Sequence, residues 1–125
     1  MYLIDTNIFL EILLGQEKKD SCKKFLSENS ESIYISDFSL HSIGVILLKT
    51  KKIQTFQIFL DKFLPDITLL SLPKDKYYQL TSNSQNLLLD FDDSYQFTLA
   101  KFYGFHLVSI DKHFKKITEI KTIII

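Results

Sequence analysis

Apolar and polar positions alternate along this chain in blocks whose period changes. Tyr2, Leu3 and Ile4 form a short apolar run that ends in Asp5. Such a run reads as a buried strand over 2–5. Apolar residues, Ile8 and Ile12 among them, then recur at helical spacing over 7–14, and Gly15 stops the pattern. The helical period returns over 17–29, with Cys22, Phe25 and Leu26 inward and Lys18, Lys19, Lys23 and Lys24 outward. β-branched and aromatic residues make 31–36 a second strand. Ser36 or Asp37 can cap a helix over 38–49. A further helix over 53–64 gathers Phe56, Phe59, Leu60 and Phe63 on one face, and Pro65 stops it.

A third strand is expected over 66–72, and Pro73 suits the first turn of a helix reaching Leu87. The connection over 88–93 is rich in carboxylates. It opens a helix through Phe97, Ala100 and Tyr103 that Gly104 closes. A fourth strand is expected over 105–110, ending in Asp111. A single helical turn follows over 112–116, then an edge strand over 122–125. Strands alternating with helices predict an α/β fold with a mostly parallel five-stranded sheet covered on both faces.

The chain has 125 residues, which fits one domain over 1–125. Few glycines and prolines exclude long linkers and collagen-like stretches. The single Cys22 forms no internal disulfide, which suits a reducing compartment. No signal peptide and no membrane span is expected, so the expected location is cytoplasmic. Basic and acidic residues balance at fifteen each, and every basic residue is lysine. The lack of arginine counts against a sequence reader built on Arg forks, but not against a nucleic acid held through metal ions and lysines.

The candidate chemistry lies in the aspartates. All strands of a parallel sheet end on one edge, where open α/β sheets bind ligands. Asp5 and Asp111 end two strands, and Asp93 begins the helix before the fourth. The three acids can therefore converge, and without a cation they repel. Oxygen-only ligands select magnesium or manganese (Mg2+ or Mn2+) over zinc. Such sites favour phosphodiester hydrolysis, which needs no protein nucleophile. Aspartates at helix starts also serve as caps, and Asp90, Asp92 and Asp93 fit that role as well.

Three segments carry a resemblance. These are Ile4-Asp5-Thr6-Asn7, Asp92-Asp93-Ser94-Tyr95, and Val108-Ser109-Ile110-Asp111-Lys112-His113-Phe114. In this order and spacing the chain resembles PIN-domain proteins, the fold of many ribonuclease toxins (VapC type) of bacterial toxin–antitoxin pairs. The resemblance implies a three-layer α/β/α sandwich with strand order 3-2-1-4-5 and Mg2+- or Mn2+-dependent cleavage of an RNA substrate. It implies Asp5, Asp93 and Asp111 as the metal-binding acids, with Thr6, Asn7 and Ser109 orienting them or touching a metal-bound water. An antitoxin partner and a homodimer are implied too. The phenylalanine-rich helix over 53–64 offers apolar surface for either, or simply builds the core.

One departure stands out. The family usually carries a glutamate in the helix after the second strand, and here Ser42 takes that place, with His41 beside it. Three readings stay open. Ser42 or His41 holds a water or the metal; Asp37 reaches in from the same edge; or the protein is weak or inactive. His113 is expected to be solvated and His106 structural, on the opposite edge. The readings of function are therefore a metal-dependent endoribonuclease, a binding or regulatory module on the same fold, and, more remotely, a phosphate-ester hydrolase or phosphoacceptor domain of another α/β family.

Overall fold

The computed structural model describes residues Met1–Ile125. Five strands, β1 (Tyr2–Ile4), β2 (Ile33–Ser36), β3 (Thr68–Leu70), β4 (His106–Ser109) and β5 (Thr122–Ile124), form one sheet in the order β3-β2-β1-β4-β5. Every neighbouring pair is parallel, so the sheet is wholly rather than mostly parallel. Six helices cover it: α1 (Thr6–Leu13), α2 (Lys19–Glu28), α3 (Asp37–Lys49), α4 (Ile53–Lys62), α5 (Tyr77–Leu87) and α6 (Phe91–Tyr103). None is long and apolar enough to cross a membrane.

The three layers follow from the two-residue period of strands, which sends neighbouring side chains to opposite faces. Ile4, Ile33, Ile35 and Val108 point to the face packed by α1 to α4, among Ile8, Phe9, Cys22, Ile43, Leu47 and Phe59. Leu3 and Leu107 point the other way, to the core shared with Leu80, Phe97, Leu99 and Phe114. β1 is central and pairs with β2 on one side and β4 on the other. The ladder continues one residue past it, because the Asp5 N–H donates to the Val108 carbonyl at 2.9 Å. This bond holds Asp5 at the C-terminal edge.

Element boundaries depart from the sequence reading where side chains compete for the backbone. Pro73 does not open α5. The Tyr95 hydroxyl accepts the Leu72 N–H at 3.0 Å, Pro73 stays extended, a 3-10 turn runs over Lys74–Lys76, and α5 begins at Tyr77. The helix before Gly104 begins at Phe91 with Asp90 as its cap, so Asp93 stands in its first turn. Gly104 ends α6 at φ +71°, a conformation free of strain for glycine. α5 ends on Leu88 in the same left-handed region, at φ +54°, where a branched side chain costs roughly 1 kcal/mol.

The phenylalanines of α4 face inward. Phe59 is wholly buried, and Phe56 and Phe63 pack against the same core. They are therefore core rather than spare surface. The apolar side chains that α4 leaves exposed are Ile53 and Ile58.

Candidate functional site

Asp5 leaves β1 in extended conformation and caps α1. One carboxylate oxygen accepts the Thr6 N–H at 2.8 Å and the Gln96 side-chain amide at 3.2 Å. The other accepts the Ser109 hydroxyl at 2.7 Å. The group is only 8% exposed, so it is buried but not unpaired: three donors serve it, and no lysine does. Burial raises its pKa, the three hydrogen bonds oppose that, and the nearby Asp111 charge raises it further.

Asp111 follows β4, whose last residue, Ser109, ties the two acids together. The Ser109 hydroxyl donates to Asp5 and accepts the Asp111 N–H at 2.9 Å. Asp111 caps the 3-10 turn over Lys112–Lys116 by accepting the His113 N–H at 2.9 Å. The His113 imidazole Nδ1 lies 3.0 Å from the same oxygen. His113 is solvent-exposed as expected, yet it belongs to the acid cluster.

α6 brings the third acid. Asp90 caps it by accepting the Asp93 N–H at 2.9 Å, which frees the Asp93 carboxylate from capping its own helix. The Asp93 carboxyl is pushed up to about 6, first by burial and then by the charges of Asp90, Asp111 and Asp5, with His113 pulling it back. Asp92 is raised as well, by burial and by Asp90. Asp5, Asp93 and Asp111 line one cleft of about 330 Å³, together with Thr6, Asn7, Ser42, Asp90, Asp92 and His113. Ser42 thus faces the acids. His41 and Asp37 line a different groove on α3, and Asp37 is engaged in accepting the Tyr95 hydroxyl at 2.6 Å.

Gln96 was not legible as a site residue. It stands one turn after Asp93, a spacing that puts both on one helix face. Its amide donates to Asp5 and, at 2.7 Å, to the Ser39 hydroxyl, which also accepts the Thr6 hydroxyl at 2.8 Å. The available signal was a polar residue set between two aromatic ones, Tyr95 and Phe97, one turn after Asp93. Its other amide atom, Oε1, is buried without a partner in the wall of the cleft.

The donor set fits a divalent cation. Asp93, Asp111 and His113 each offer a ligand atom, and these atoms lie within 4.8 Å of one another. The imidazole widens the choice of ion: the nearest set is not oxygen-only, and an imidazole nitrogen also suits transition-metal ions that an all-carboxylate set disfavours. Asp5 stands behind this set, linked to Asp111 through Ser109.

The crowded acids give the metal-free protein a distinctive pH response. A carboxyl whose folded pKa is raised stabilises the fold below the unfolded value, and that stability is lost as pH rises through the folded value. For Asp93 the window runs from 3.8 to about 6. His106, lowered by burial, works oppositely, adding stability as pH rises toward 6.5. The contrast with Asp93→Asn isolates the acid. In EDTA, the melting temperature of the variant minus that of the wild type is expected to grow between pH 4 and pH 7, as thermal melts can read; a flat difference would mean that Asp93 is not strained by its neighbours.

Comparison with known proteins completes the description. The family profile described as PIN domain matches residues 2–120. The VapBC2 crystal structure from Rickettsia felis, bound to a DNA fragment from its promoter, aligns at 22% identity and TM-score 0.80, covering 97% of this chain and 96% of that one. A toxin–antitoxin complex from Klebsiella pneumoniae aligns at 18% identity and TM-score 0.78, covering 96% and 95%. VapC20 of Mycobacterium tuberculosis, described as a sarcin–ricin loop cleaving toxin, aligns at 13% identity and TM-score 0.77, covering 96% and 98%. No individually curated protein matches the sequence.

Proposed function

We propose that this chain, which belongs to the PIN-domain family, is a metal-dependent endoribonuclease and the toxin half of a toxin–antitoxin pair. The observation that carries the reading is the meeting of Asp5, Asp93 and Asp111 in one cleft at the C-terminal edge of a parallel sheet, with no lysine paired to any of them. Repulsion of this kind is relieved by a hard cation. The sheet edge is also where folds of this class bind ligands.

In this reading Asp93 and Asp111 are the direct ligands, with His113 completing the set, and Asp5 is the buried acid behind them. A bound Mg2+ or Mn2+ supplies charge for the phosphate oxygens and an acidified water. Ser109 and Gln96 hold Asp5 in place, and Ser109 fixes the backbone of Asp111. Asn7, Ser42 and Asp92 border the space in which a phosphodiester would lie. Thr6 acts through Ser39, which steadies Gln96. The expected substrate is RNA, the expected partners are an antitoxin and a second copy of the chain, and the expected location is the cytoplasm.

A second reading rests on Ser42. It stands in the cleft where the family usually carries a glutamate, so a fourth acid is missing. A protein that binds RNA or an antitoxin without turnover fits that change. Cleavage of single-stranded RNA in Mn2+ and in EDTA separates the two. The nuclease reading expects cleavage in Mn2+, none in EDTA, and recovery when Mn2+ is restored. Binding of RNA with no cleavage in either condition favours the module. Cleavage that persists in EDTA contradicts the metal reading.

A further inference from the structure

Aromatic rings are gathered on the α6 side of the acid cleft. Phe38 lines the cleft itself. Phe91, the first residue of α6, stands between Asp90 and Asp92, both of which also line the cleft. Its ring centroid is 6.4 Å from that of Phe38 and 6.4 Å from that of Tyr95, nearly parallel to the latter at 30°. Phe38 and Tyr95 lie 5.6 Å apart. Phe91 itself is not in the cleft wall, yet it is 53% exposed, so one side of the cluster that Phe38 anchors in the cleft faces water.

The cluster is held rigidly from beneath. Tyr95 is buried, and its hydroxyl both donates to Asp37 and accepts the Leu72 N–H. A ligand that meets Phe91 therefore finds a surface already ordered and loses little entropy in organising it. Lys112, Lys115 and Lys116 are exposed on the turn that carries His113, itself a residue of the cleft. An exposed aromatic ring packed on a residue of the acid cleft, with lysines on the turn that carries His113, suits a flat apolar ring joined to a phosphate. Successive bases of a single strand stack on such faces with little regard to sequence, while the backbone follows positive charge.

We propose that Phe91, backed by Phe38 and Tyr95, is a stacking platform for an unpaired base of single-stranded RNA next to the scissile phosphate. The proposal rests on the nuclease reading and adds to it the residue that positions substrate.

The test uses the full chain as wild type, Phe91→Ala, Phe91→Leu and Phe91→Tyr. A short single-stranded oligoribonucleotide carries 2-aminopurine at successive positions, and its fluorescence is followed by stopped flow before cleavage. Manganese affinity is measured on the same samples. Wild type and Phe91→Tyr are expected to quench the fluorophore at one position. Phe91→Ala and Phe91→Leu are expected to lose that quenching and to bind RNA about tenfold or more weakly, with manganese affinity unchanged. Leucine keeps the apolar bulk, so its loss of quenching separates stacking from simple contact. Quenching that survives in both variants overturns the proposal. So does unchanged RNA binding with altered self-association on a sizing column, which would assign the rings to a protein contact. Failure of the nuclease reading appears elsewhere, as a wild type that neither binds manganese nor cleaves.

Discussion

Asp111→Asn is expected to abolish RNA cleavage while leaving the fold intact. The carboxylate is one of the direct ligands in the account, and loss of a merely supporting group at a metal site already costs ten- to a hundredfold. A fall of at least a hundredfold in cleavage rate is therefore expected. The substitution is nearly isosteric, and the asparagine oxygen can still accept the His113 N–H that caps the last turn. Removing one charge also relieves its repulsion with Asp93 and Asp5, whose carboxyls the Asp111 charge pushes upward. The melting temperature in EDTA should accordingly rise. Asp5→Asn should behave alike, because its amide can donate to Ser109 while its oxygen keeps the Thr6 and Gln96 bonds. A lower melting temperature with cleavage unchanged would make both residues structural caps. The pairing of lost activity with gained stability is what distinguishes ligands from caps.

Phe59→Ala is expected to have the largest effect on stability. Phe59 is wholly buried in the face packed by α1 to α4, 5.3 Å from the Phe9 ring and 5.9 Å from that of Phe63. Truncating a buried phenylalanine costs about 3–5 kcal/mol, because the site collapses only partly. That is a large share of the roughly 5–15 kcal/mol that holds a domain together. The melting temperature should drop by about 10–20 °C, as calorimetry can read. A drop of only a few degrees would mean that the aromatic cluster is loosely packed and that α4 is free to serve a partner. The Phe59 position also reports on the site. α1, which Asp5 caps, rests on this core through Ile8 and Phe9.

Backbone placements were more legible in the sequence than contacts between distant side chains. The strand β1 and the placement of Asp5 were legible because a three-residue apolar run that ends in a carboxylate has few other uses. The same held for Asp111 after β4. The strand order came from the resemblance of the three motifs, since periodicity cannot rank strands. Contacts between distant side chains were less accessible. Gln96 lies inside a helix read from its apolar residues Phe97, Ala100 and Tyr103, and only the tertiary fold shows that it meets Asp5 and Ser39. His113 reads as a solvated residue and is exposed, yet a short 3-10 turn folds its ring back onto Asp111. Asp37 has the residue type and strand-end position of a ligand, but the Tyr95 hydroxyl reaches it first. The start of α5 was misjudged for a related reason: a Tyr95 hydrogen bond to Leu72 keeps the chain extended at Pro73.

Ser42 shows what position can and cannot say. The motif spacing put it at the place of the family's glutamate, and it does line the cleft. Its hydroxyl brings no charge, so the proposed direct set is two carboxylates and an imidazole. Metal binding by that set is therefore the decisive property of the site.

Isothermal titration of the purified chain with manganese addresses this most directly, with Asp5→Asn/Asp111→Asn protein titrated alongside. The account predicts saturable binding by the wild type that disappears in the double variant while both remain folded. Absence of binding by a folded wild type would contradict it, and the aspartates would then be helix caps and solvating charge on a PIN fold without a metal centre.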